Sequence, residues 1–152
     1  MSASRAASVP AASKLLIVAG ALYIVNVFTP WQRVCFPDVG CATSSGVSGI
    51  GFLNLLLAMG LVAWEVLPLV GVEVGGQRAL VSAALAGSVL LFTLLKILVD
   101  SDHLYLFGWV GLALALVIGY GGWLRWQEYR TGDVGPGGPG SDGSSGAPTS
   151  GP

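Results

Sequence analysis

The chain has 152 residues, 53% of them hydrophobic and 10% charged, with a net charge of −1 and a mean hydropathy of +0.75. A soluble globular domain carries about a quarter charged residues, so this composition excludes an ordinary soluble globule. The near-neutral balance also excludes a basic nucleic-acid-binding surface.

Residues 1–13 are small and polar and read as a short N-terminal arm. The first apolar run follows at 14–29. Arg5 and Lys14 precede it, but Val27-Phe28-Thr29-Pro30-Trp31 offers no small-x-small cleavage site, so a retained signal-anchor helix is expected. Three further apolar runs lie at 49–67, 79–99 and 104–124. Each run is close to the ~20 helical residues that cross a bilayer core. The expectation is an all-α membrane protein, an antiparallel bundle of four transmembrane helices over residues 14–130.

The segment 30–48 between the first two spans is expected as an outer loop. It holds both cysteines, Cys35 and Cys41, with Pro37 and Gly40 between them to make a turn. An exclusive pair facing an oxidising exterior predicts a disulfide. Redox chemistry usually uses Cys-x-x-Cys at a helix N-terminus, which is absent here. A zinc site would need two more ligands, and His103 is the sole histidine. Beyond the loop, Gly46, Gly49 and Gly51 allow a tight entry into the second span.

The second and third spans carry most of the intramembrane polar residues. At about 100° per residue, Asn54 and Glu65 share one face of the second helix with Ala58. Arg78, Ser82, Thr93, Lys96 and Asp100 share one face of the third. Because the two run antiparallel, these residues define a candidate polar seam with a Glu65–Arg78 charge pair at its inner end. Two readings stand. In one, Lys96 and Arg78 snorkel to the interfaces and the neutral groups make modest interhelical hydrogen bonds. In the other, the seam is a transport or ligand path with Lys96 below its outer mouth.

Asp100-Ser101-Asp102-His103 is the short outer turn. Its side chains suit a helix cap, and Asp100, Asp102 and His103 are weak candidates for a divalent-metal or acid–base site. Small residues recur at helical spacing: Ala79, Ala83 and Gly87 on the third helix, and Gly111, Ala115, Gly119 and Gly122 on the fourth. Such stripes let membrane helices approach closely. Trp109 lies opposite the fourth helix's stripe and is expected to face lipid. Residues 131–152 are rich in Gly, Pro, Ser, Asp and Thr and are expected as a disordered tail.

Orientation follows from the basic residues. Arg5, Lys14, Arg78, Arg125 and Arg130 fall at one side, against Arg33 and Lys96 at the other, so both termini are expected in the cytoplasm. Tryptophan and tyrosine collect near the span ends, Tyr23 excepted, as interfacial belts do.

The pattern Pro30-Trp31-Gln32-Arg33-Val34-Cys35, Cys41, Ser48-Gly49-Ile50-Gly51 and Ala63-Trp64-Glu65 resembles small four-span integral membrane proteins of actinobacteria. That resemblance implies a membrane location and brings no activity or functional residue with it. The expected function is therefore a structural or interaction protein of the plasma membrane, an accessory subunit or scaffold. Its expected partners are the lipid bilayer and a second copy or another membrane protein, with no cofactor. The alternatives are an oligomeric channel or transporter subunit built on the seam, and a membrane enzyme with an outer-face Asp/His site.

Overall fold

The computed structural model describes residues 10–38, 40–72, 77–99 and 104–132. The start of the expected arm, Asp100, Asp102 and His103 of the outer turn, and the tail from residue 133 lie outside them.

Helix α1 spans Ala11–Val27 and begins directly after Pro10. The expected arm is therefore shorter than 13 residues, and Ser13 is a buried helical residue. The helix stops before Pro30, which disfavours helical geometry at Thr29. Thr29 folds back to cap the end, its Oγ1 donating to the Asn26 carbonyl at 2.6 Å.

The expected loop is a β-hairpin. Strand β1 (Pro30–Phe36) pairs antiparallel with β2 (Gly40–Ser45), and Cys35 stands opposite Cys41 in the register. The two are joined by the expected disulfide, with an S–S distance of 2.02 Å. Gly40, at φ +95°, closes the tip where a Cβ would be strained. The all-α expectation thus gains a two-stranded ribbon.

Helix α2 (Ile50–Val66) runs into a 3₁₀ turn at Leu67–Val70, where Pro68 stands at the start of the turn. Gly71, left-handed at φ +83°, ends it, and Val72 N–H returns to the Leu67 carbonyl. Helix α3 covers Arg78–Val99 and α4 covers Leu106–Gly132. The fourth helix thus continues well past the expected end at residue 124, taking Arg125, Glu128 and Arg130 with it. At 1.5 Å per residue its length is about 40 Å, beyond the ~30 Å of a hydrocarbon core.

The helices pack in a ring in which α1 touches α2 and α4, and α3 touches α2 and α4. Successive helices alternate in direction: Ser13, Glu65, Arg78 and Arg125 meet at one end, while Asn26 meets Phe107 at the other. Three helical segments, Ile50–Val70, Arg78–Val99 and Leu106–Thr131, are long and apolar enough to cross a membrane, and α1 is a shorter apolar helix. The buried core runs through Leu16, Tyr23, Leu55, Leu61, Val89 and Ile118, while many large aliphatic side chains face outward.

Trp31 stands at the end of the first span as expected, but it packs into the protein and is 2% exposed. Its ring N–H donates to the Asn26 carbonyl at 2.9 Å, and its ring meets Tyr23 edge to face. The indole joins the Thr29 N–H and Oγ1 as a further donor to this carbonyl at the end of α1, while filling the space beneath the hairpin. A Cβ on Gly111 would collide with this ring. Trp109, by contrast, is exposed as expected, and so are Tyr120 and Trp123 at the other end.

Two glycines of α2 separate packing from propensity. A Cβ on Gly51 would overlap the Gly46 carbonyl, whereas Gly60 has nothing within 4 Å. Gly51→Ala is expected to lower unfolding stability in detergent by about 1–3 kcal/mol. Gly60→Ala is expected to be neutral or to add up to about 1 kcal/mol. Equal effects in thermal unfolding would contradict this packing of the hairpin base on α2.

Candidate functional site

At the end of the bundle where α1 begins, polar side chains from all four helices converge on Glu65, which is fully buried. Its Oε2 accepts from Ser13 Oγ at 2.8 Å, Arg125 Nη2 at 2.9 Å and Arg78 Nη2 at 3.0 Å. Its Oε1 accepts from Ser82 Oγ in a short hydrogen bond. Arg125 Nη2 also donates to Ser13 Oγ. Its Nη1 reaches Glu128 at 2.6 Å, one turn along α4. Four donors thus converge on one carboxylate, three at Oε2 and one at Oε1. Two guanidiniums are balanced by one buried and one half-exposed carboxylate.

A second, neutral cluster lies toward the hairpin end of the bundle. Asn54 Nδ2 donates to Tyr23 Oη at 2.6 Å and to Thr93 Oγ1 at 2.8 Å. The two hydroxyls are themselves 2.8 Å apart, and Thr93 Oγ1 donates back to the Val89 carbonyl at 2.7 Å. With Tyr23 donating to Thr93, every hydroxyl proton in this triad has an acceptor. Asn54 Oδ1 is buried without a partner. Eleven residues, or about 16 Å of helix, separate Asn54 from Glu65 along α2.

At the hairpin end, Lys96 is 5% exposed, and its Nζ donates to the Ser48 carbonyl at 3.1 Å. A cavity of about 220 Å³ opens beside it, lined by Gln32, Ser48, Gly49, Ile50 and Val99. Asn26 Nδ2 donates to the Phe107 carbonyl, and Tyr105 N–H donates to the Trp31 carbonyl at 2.7 Å. The first bond joins α1 to α4, and the second ties the hairpin to the start of α4.

The predicted seam is thus present in two separate pieces, Glu65–Arg78–Ser82 and Asn54–Thr93, with Lys96 apart at the hairpin base. Asp100 falls outside the described residues, as do Asp102 and His103. Among the described residues no group of three or more metal-ligating side chains occurs.

Sequence reasoning missed Ser13 and Tyr23 of α1 and Arg125 of α4. Their signal was there. Arg125 continues the buried face of Gly111, Ala115, Ile118 and Gly122 at helical spacing. Tyr23 continues Leu16 and Ala19 in the same way. Assigning Arg125 to the solvent side as an orientation charge, and α1 to a mere anchor, hid both.

No family model, curated protein or solved structure matches this chain.

Removing one partner from a buried ion pair leaves an uncompensated charge and typically costs about 3–5 kcal/mol. Glu65→Gln, which removes the carboxylate shared by Arg78 and Arg125, is expected to lose that much in detergent unfolding. Ser13→Ala, which deletes the hydroxyl that donates to Glu65 and accepts from Arg125, is expected to lose about 1.5–3 kcal/mol. A Glu65→Gln protein as stable as wild type would show that the cluster holds nothing together.

Proposed function

We propose that this is a four-span structural or interaction protein of the plasma membrane, with both termini cytoplasmic and the disulfide-closed hairpin outside. One observation carries the reading: both oxygens of the buried Glu65 carboxylate accept from the protein itself, from Ser13, Arg78, Ser82 and Arg125. A path for ions or solutes needs polar groups that can exchange partners with the cargo. Here the intramembrane charges are spent on joining helices.

Helix α1, though 17 residues long, runs level with its neighbours, Ser13 beside Glu65 and Asn26 beside Phe107. That supports a fourth span. Lys14, Arg78, Arg125 and Arg130 stand at the Glu65 end, and Arg33 is on the hairpin, which supports a cytoplasmic Glu65 end by the positive-inside bias. A disulfide persists in an oxidising compartment, and this supports a hairpin outside the cell. The hairpin is also a fixed platform: Trp31 plugs it into the bundle, and the disulfide locks its strands. Such preorganisation favours recognition by limiting the ordering cost of binding. The protein would act as an accessory subunit or scaffold through this hairpin and its outer helix faces.

Purified protein alone in liposomes is expected to carry no ion or solute flux. Flux that Lys96→Ala abolishes would replace this reading with the channel or transporter alternative. A fluorescent protein fused at the C-terminus is expected to fold and glow, and alkaline phosphatase there is expected to stay inactive. The opposite pattern would overturn the orientation.

A further inference from the structure

A cleft of about 390 Å³ runs between α3 and α4 on the outside of the bundle. Its floor is made by Ala83, Gly87, Gly119 and Gly122, and Trp123 and Trp126 flank it. The helices are close below the floor, where Gly122 meets Ala86 and Gly119 meets Leu90. At Gly87 the cleft is open, because a Cβ there would meet nothing within 4 Å. Both indoles present substantial surface outward, as amphipathic rings at headgroup level do.

A charge beyond one end of this cleft says what fits it. Arg130 lies one turn beyond Trp126 and within about 20° of Gly119 around the α4 axis. Arg78 and Arg125 are consumed by Glu65 and Glu128, whereas no carboxylate among the described residues pairs with the exposed Arg130. Helical spacing sets this guanidinium one turn past the Trp126 end of the apolar slot, and the two together have the chemistry of a lipid chain beneath a phosphate.

We propose that the α3–α4 cleft holds one acyl chain of an anionic phospholipid, with its headgroup phosphate at Arg130. The lipid belongs to the leaflet at the Glu65 end. Bulk lipid tails are as apolar as the cleft, so the chain contributes fit and the headgroup contributes selectivity. One basic residue near the surface favours an anionic lipid about five-fold. The site rests on the membrane reading but not on the accessory role or on which side the termini face.

The test uses the full chain purified in mild detergent, with equimolar phosphatidylglycerol and phosphatidylcholine added, and counts retained lipids by native mass spectrometry. Wild type is expected to hold one phosphatidylglycerol, preferred about five-fold over phosphatidylcholine. Arg130→Gln should remove the preference, and Arg130→Lys should keep part of it. Gly87→Leu, whose Cβ would meet nothing within 4 Å, puts a side chain into the open part of the cleft, and it should abolish retention while leaving the melting temperature unchanged. Equal retention of the two lipids by wild type would overturn the proposal. So would retention untouched by Gly87→Leu, or a dimer that Gly87→Leu converts to monomer, since the cleft would then be a contact between copies. A chain that stays monodisperse in water without detergent would sink the membrane reading itself.

Discussion

An ion inside a low-dielectric interior must be matched by opposite charge and by hydrogen bonds, or the segment carrying it does not stay there. The effective penalty for burying an unpaired ion in a protein is several kcal/mol. Glu65, fully buried on α2, meets that demand by drawing one donor residue from α1, two from α3 and one from α4. The consequence is positional. Sliding any helix by a turn, about 5.4 Å, would separate its donor from the carboxylate and strand at least one charge. Leucine-rich helix faces tolerate such slips, because lipid tails are as apolar as the side chains they would exchange with. The carboxylate therefore supplies register that the apolar surface cannot.

The hairpin end of the bundle reaches the same result without net charge. Tyr23, Asn54 and Thr93 close one hydrogen-bonded triad across three helices. Trp31 then joins α1 to the hairpin and to α4 by its N–H, by its edge against Tyr23 and by the flat face of Gly111. Lys96 donates to the Ser48 carbonyl just before α2 begins. Two polar fastenings about 16 Å apart along α2 hold the axis of each helix, and the small residues of α3 and α4 set how closely those two approach. A bundle fixed in this way presents its hairpin in one orientation.

Much of this was legible in the amino-acid order. The apolar runs located the helices because a 20-residue stretch with few charges has one main use. The disulfide followed from a pair with no competing partner. Glu65, Arg78, Ser82, Asn54 and Thr93 were placed on facing stripes by spacing alone, and the structure brings them together in two groups. What escaped was long-range. The hairpin was hidden because Gly40–Ser45 lacks the β-branched alternation that marks a strand, and its pairing is instead set by the Cys35–Cys41 link and the Gly40 turn. Trp31 was placed at a span end because indoles usually collect there, but its turn into the protein, where the end of α1 offers its N–H a buried acceptor, was not legible. Arg125 was counted as an orientation charge, although its place on the small-residue face of α4 already aimed it inward. A charge at a helix end can serve both topology and packing, and spacing separates the two roles.

These features describe a helical bundle whose buried polar groups act as fasteners between helices. The central claim is that Glu65 couples the helices energetically rather than merely lying among them. A double-mutant cycle of Glu65→Gln and Arg125→Gln, followed by equilibrium unfolding in detergent, measures that coupling directly. Coupling of about 1.5–3 kcal/mol is predicted, near the top of the range for contacting residues. Losses that add to within about 0.5 kcal/mol, as for distant and independent sites, would contradict it.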